Sequence, residues 1–134
     1  MSNCVVWKIR RAARVLTRIY DEALAPCGLT SMQLGTLDAL GDFGPTTLAR
    51  LAEIGSHEKS ATWRGLQPLM RRGLVERVAP EARADRYAIS PAGAALLEEA
   101  LVHWRRVQGE IVGLLGEDVD HLDAMIEKLD AAGP

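Results

Sequence analysis

No stretch of this chain approaches the ~20 consecutive apolar residues that a membrane-spanning helix needs; its longest apolar runs are a few residues. Arg10, Arg11 and Arg14 enter the first amphipathic segment with no apolar h-region behind them, so no signal peptide is expected and the predicted location is cytoplasmic. Cysteine is scarce. Cys4 and Cys27 stand too far apart for a CxxC metal or redox motif, and a structural disulfide is not expected in a cytoplasmic protein. His57, His103 and His121 are equally scattered, with no HxxH-type ligand spacing. A Gly-rich phosphate loop and a nucleophile motif are both missing. The expectation is a protein that is not an enzyme and needs no metal or cofactor. Internal repeats and low-complexity tracts are absent as well.

What is present is an ordinary globular composition: 134 residues, 48% apolar and 25% charged, enough for a single domain over 1–134. The net charge of −2 hides a division. Residues 1–44 are close to neutral at +1, residues 45–93 carry eight Lys/Arg against five Asp/Glu, and residues 94–134 carry three against nine. A basic middle can attract phosphate despite an acidic tail, because ionic attraction is local on the scale of a Debye length.

Apolar residues at three- and four-residue spacing predict a helix from Val5 to Leu24, ended by Pro26 and Gly28. Thr30 or Ser31 caps a second helix that turns Leu34, Leu37 and Leu40 inward and closes at Gly41 to Gly44. Pro45 and Thr46 open a short third helix, Thr47 to Ile54, burying Leu48, Leu51 and Ala52. Gly55 and Ser56 make a tight turn into a fourth helix, His57 to Arg72, ended by Gly73. The pattern then becomes β: Leu74 to Val78 and Asp85 to Ile89 read as two strands, with residues 79–84 as the turn. Ser90 and Pro91 start a long helix to Leu115, Gly116 breaks it, and a last helix runs from Asp118 or Val119 to about Ala132.

Helix, turn, helix, then a β-hairpin is the order of a winged helix-turn-helix. The predicted fold class is mainly α with a small β-hairpin wing. A DNA-binding lobe spans 30–93, flanked by N- and C-terminal dimerisation helices at 1–25 and 94–134. Ile111, Val112, Leu114, Leu115, Leu122, Met125, Ile126 and Leu129 are rich in apolar side chains for a chain terminus, and a symmetric homodimer would bury them.

At 100° per residue, the fourth helix turns Thr62, Leu66, Leu69 and Gly73 toward the core and His57, Ser60, Arg64 and Gln67 outward. Arg71 continues the outward side, with Lys59 and Trp63 on its flanks. Such a face suits a major groove: the Arg64 fork matches guanine O6 and N7, while Ser60, His57 and Gln67 can read other base edges. Pro68 removes a backbone hydrogen bond to Arg64, which predicts a kink or loosened turn. Trp63 is expected on the wing, on the sugar-phosphate backbone or over the core. Arg83 and Arg86 frame the wing tip, where an Arg can enter the minor groove or pair with Glu81 or Asp85. Thr46 and Thr47, at a helix start, offer hydroxyl and N–H groups to phosphate, or serve simply as caps.

Several stretches together resemble the MarR family of winged-helix regulators over nearly the whole chain. They are Ile9-Arg10-Arg11-Ala12-Ala13-Arg14, Tyr20 to Pro26 with Gly28-Leu29-Thr30 and Gln33, and Leu48-Ala49-Arg50-Leu51-Ala52. Arg64 to Leu69, Arg72-Gly73-Leu74-Val75 and Arg86 to Gly93 continue the match, with Trp104 and Gln108 in the fifth helix. The resemblance implies a homodimer joined by its terminal helices that binds pseudo-palindromic double-stranded DNA. It also implies small phenolic ligands or oxidants as effectors, usually relieving repression. The chain departs from the family's Asp-Arg-Ser-Thr-Leu-Thr-Arg with Glu58-Lys59-Ser60-Ala61-Thr62-Trp63-Arg64, and from its wing Asp-x-Arg with Glu81-Ala82-Arg83.

For an effector, Trp7, Tyr20 and Trp104 with Arg11 or Arg14 have the chemistry to line a pocket for a small aromatic acid. For an oxidant, Cys4 lies just before the first helix, where a thiolate gains from the N-terminal dipole. Some relatives sense peroxide with a cysteine about two residues further on, which points to a sulfenic-acid switch. A third reading keeps the wing as a protein-interaction module without DNA binding. No membrane partner is expected.

Overall fold

A computed structural model describes residues 3–78 and 85–133. Helix α1, Val5–Leu24, is followed by a 3-10 turn at Ala25–Cys27 and by α2, Ser31–Phe43. Strand β1, Thr46–Thr47, leads into α3, Leu48–Gly55, and then α4, Lys59–Arg71. Strands β2, Val75–Val78, and β3, Arg86–Ile89, precede α5, Pro91–Leu115, and α6, Asp118–Ala132.

Local signals explain most of these boundaries. Thr30 and Gln33 form a capping box: the Thr30 hydroxyl oxygen accepts from the Gln33 N–H at 3.1 Å, and the Gln33 side chain accepts from the Thr30 N–H at 3.0 Å. The Ser90 hydroxyl oxygen accepts from the Gly93 N–H at 3.0 Å and donates to the Gly73 carbonyl at 2.6 Å. One buried side chain therefore caps α5 and latches it to the end of α4. Gly93 permits this closeness, since a Cβ there would collide with the Leu74 carbonyl oxygen.

Helix α2 is the hub. It packs against α1, α3, α4, α5 and β3, and buries Leu34, Leu37, Ala39 and Leu40. With Leu24, Leu66 and Leu69 these leucines make the centre of the core. Replacing a fully buried leucine such as Leu37 with Ala costs about 2–5 kcal/mol. The core thins along α5, which is about 38 Å long by its residue count. Ala100 and Val107 are buried, whereas Leu114 is 78% exposed and α6 buries nothing.

The structure corrects three expectations. Thr46 and Thr47 form a short strand ahead of α3, with Thr47 still its cap, and the sheet has three antiparallel strands in the order β1-β3-β2. Thr46 pairs with Tyr87, and Val75 with Ile89. Helix α4 begins at Lys59, so His57 lies in the preceding turn. That turn is set by Ser56, in the left-handed region at φ 54°, and by the His57 N–H bonded to the Ala52 carbonyl. Gly73 lies beyond α4 and is exposed, while Thr62, Leu66 and Leu69 are buried as expected. As the sequence places it, Pro68 lies inside α4.

Candidate nucleic-acid interface

The outward face of α4 is a stripe of Ser60, Arg64, Gln67 and Arg71, at four- and three-residue spacing along one side. Ser60, Arg64 and Arg71 are exposed and Gln67 is half-buried. Lys59 stands exposed at the helix start. No salt bridge among the described residues ties up Lys59, Arg64 or Arg71. Their charges face water, as an unengaged phosphate- or base-reading surface requires.

Two contacts hold this stripe in place. The inward Thr62 hydroxyl donates to the Glu58 carbonyl at 3.1 Å. Half-buried Trp63 packs its ring 6.2 Å from that of Tyr87, at 57°. Of the three places expected for Trp63, the structure shows the wing, with further packing on the core. Helix α4 and strand β3 therefore share an aromatic joint.

The wing candidates divide. Arg86 is exposed on β3, opposite Val78 and Thr47. Asp85 pairs with Arg77 at 3.7 Å, so among the described residues its ion pair is not the one expected with Arg86. Arg83 and Glu81 lie outside the described residues.

Thr46 is buried and its hydroxyl donates to the Gly44 carbonyl at 2.7 Å, which corrects its expected role as a phosphate hydroxyl. The Thr47 hydroxyl caps α3 by accepting from the Arg50 N–H at 3.2 Å. His57 is off the reading stripe as well. It lines a hollow of about 290 Å³ with Ser31, Gly35, Thr36, Leu51 and Gly65, between α2, α3 and α4.

The expected effector residues do not converge. Trp7 and Tyr20 stand thirteen residues apart on α1, roughly 20 Å along its axis. Trp7 and Arg11 make a cation–π contact, with the guanidinium 5.6 Å from the ring. The Tyr20 hydroxyl instead donates to Gln108, joining α1 to α5, and burial pushes its pKa up. Trp104 is half-buried against the core. The one expected effector residue besides Trp7 that reaches a hollow near it is Arg14. That hollow, about 270 Å³, is lined by Cys4, Val6, Trp7, Arg10 and Arg14. Arg14 also borders a larger, open groove along α1. Cys4 is half-buried at the α1 start, and its thiol makes no capping bond. No metal-binding cluster exists among the described residues.

Sequence reasoning missed the β1 strand, the Ser90 latch and the place of Arg72, whose guanidinium donates to the Gly28 and Cys27 carbonyls. A pair of β-branched residues after Pro45 was the available signal for β1. The other two depend on long-range contacts with no local signature.

Comparison with known proteins matches the geometry. The model of the MarR family matches residues 28–86. The M. tuberculosis transcriptional regulator MosR is similar at 32% identity, over 98% of each chain, with a TM-score of 0.84. A structure of the same regulator in complex with DNA aligns at 33% identity over 97% of this chain and 98% of that one, TM-score 0.83. Bordetella bronchiseptica BpsR, whose DNA binding is regulated by 6-hydroxynicotinic acid, shares the fold at 23% identity, covering 97% of this chain and 96% of its own, TM-score 0.85. No curated protein matches the chain.

Proposed function

Because the chain belongs to the MarR family of transcriptional regulators, we propose that it is a homodimeric repressor. It lays α4 of each protomer in successive major grooves of a pseudo-palindromic operator. The observation that carries this reading is the outward stripe of exposed Ser60, Arg64 and Arg71 with half-buried Gln67, held by Trp63 on Tyr87. Arg64 reads guanine through its fork, Ser60 and Gln67 read neighbouring edges, and Lys59 and Arg86 hold phosphate. Val112, Leu114, Ile126 and Leu129, exposed on α5 and α6, are the faces a second copy covers. The hollow at Cys4, Trp7, Arg10 and Arg14 combines cations with an aromatic ring and suits a small aromatic acid that loosens DNA binding.

The test is selection of duplexes from a random-sequence library, followed by affinity against salt. A palindromic consensus is expected, with affinity falling by about 0.9 decade per decade of salt for each phosphate engaged. Arg64→Ala should cost about 1–3 kcal/mol and relax preference at one base per half-site. Failure to select any duplex sinks the reading. Salicylate-like acids and peroxide form two further arms, since the same hollow holds the Cys4 thiol; release by peroxide alone would replace the acid effector with thiol oxidation.

A further inference from the structure

The end of the recognition helix is gripped from two sides, by the corner that follows α1 and by the residue that caps α5. On one side, Arg72, the residue that closes α4, donates to the Gly28 carbonyl at 2.8 Å and to the Cys27 carbonyl at 3.3 Å. These are the last carbonyls of the turn that ends α1. On the other side, the Gly73 carbonyl, one residue on, accepts from the buried Ser90 hydroxyl at the start of α5. Gly28 is in the left-handed region at φ 66°, and a Cβ on it would lie 3.4 Å from the Arg72 guanidinium. The charged fork is therefore seated directly on the corner. An arginine suits this position because its rigid planar fork is pre-organised to reach two neighbouring carbonyls, whereas a lysine offers a compact point charge on a flexible stem. Its charge also complements carbonyls left unpaired at a helix end.

Arg72 is exposed and lies off the Ser60–Arg71 reading stripe, so its polar reach is spent inward on the α1 corner. The Asp21 carboxylate adds a parallel tie by accepting the Ser31 N–H at 2.7 Å, which joins α1 to the hub helix.

We infer that Arg72 is a positioning residue that sets the angle of the DNA-reading helix against α1, and so the separation of the two reading helices in a dimer. The inference rests on the proposed homodimeric DNA binding. A single half-site makes no demand on that separation, because either lobe can dock alone. A full palindrome demands that both lobes fit one fixed spacing at once. Loosening Arg72 should therefore weaken the second docking event and leave the first unchanged.

The experiment uses the full chain and the duplex that the wild-type protein selects from a random library. It compares that duplex, the same duplex cut to one half-site, and versions with one or two base pairs inserted between half-sites. Arg72→Ala should bind the half-site within about twofold of wild type, bind the full duplex about tenfold more weakly, and discriminate less against the insertions. Arg72→Lys, which keeps the charge and loses the planar fork, should fall between. Should Arg72→Ala fail to fold, Arg72→Lys and Arg72→Gln are judged on the same full-to-half ratio. An unchanged ratio, or equal losses on half and full sites, overturns the inference while leaving DNA binding standing. If the wild type selects no duplex, the proposed function fails first and takes this inference with it.

Discussion

Trp63 of α4 and Tyr87 of β3 lie ring to ring, 6.2 Å apart and inclined at 57°. Tyr87 is buried and pairs across the sheet with Thr46 on one side and Arg77 on the other. One aromatic contact thus connects α4 to all three strands. Trp63→Ala should lower stability by about 2–4 kcal/mol, somewhat below a fully buried tryptophan. Urea unfolding measures this, and a loss under about 0.5 kcal/mol would show that the joint carries little.

Pro68 leaves Arg64 without its intrahelical N–H partner although α4 runs through it. Pro68→Ala restores a donor and removes an unfavourable residue from a helix interior. A stability gain of about 1 kcal/mol is expected. A destabilised variant would show that the proline ring itself is needed in the packing around half-buried Pro68.

The two thiols should differ sharply. Burial, and secondarily the charge of Glu99, push the Cys27 thiol above its ordinary value of 9.0. Cys27 is also sheltered in the core, whereas Cys4 is half-buried at the start of α1. In native protein near pH 8, iodoacetamide should label Cys4 at least about ten times faster than Cys27, and the difference should vanish in denaturant. The raised Cys27 value also has a pH consequence. The folded chain holds this proton more tightly than the unfolded one, so its contribution is complete below pH 9 and declines as pH rises through the folded value. Cys27→Ala should flatten that alkaline decline. Equal native labelling rates would contradict the burial of Cys27.

The apolar faces of α5 and α6 should be covered by a second copy. Leu114 is 78% exposed and Ile126 52%. A solution mass of about 29 kDa, twice the 14.6 kDa of one chain, is expected by light scattering. The double variant Leu114→Glu, Ile126→Glu should run as a monomer that keeps its helical content. A wild-type mass of one chain would remove the symmetric dimer from the proposal.

Element ends set by local chemistry are legible in the sequence. Helices α1 and α5 run from Val5 to Leu24 and from Pro91 to Leu115 as the periodicity, Ser90 cap and Gly116 break imply. The inward trio Thr62, Leu66 and Leu69, and the outward Ser60 and Arg64, follow from a period of 3.6 residues alone. The helical period also extends to His57, because a turn and a first helical residue look alike in sequence. The bond from the His57 N–H to Ala52 distinguishes them by closing α3 before α4 begins.

By itself, then, the chain's own pattern of apolar spacing, caps and glycines determined the helices, the hairpin and the face that α4 turns outward, because these depend on interactions within a few residues. Tertiary packing alone turned Thr46 into a buried strand residue, since a two-residue strand exists only through pairing with Tyr87 and Arg86, some forty positions away. It likewise seated Trp63 on Tyr87, separated Trp7 from Tyr20, and brought Arg72 to Gly28 across 44 positions of sequence. Contacts of that range leave no periodic trace, because chain closure places their partners and local preference does not.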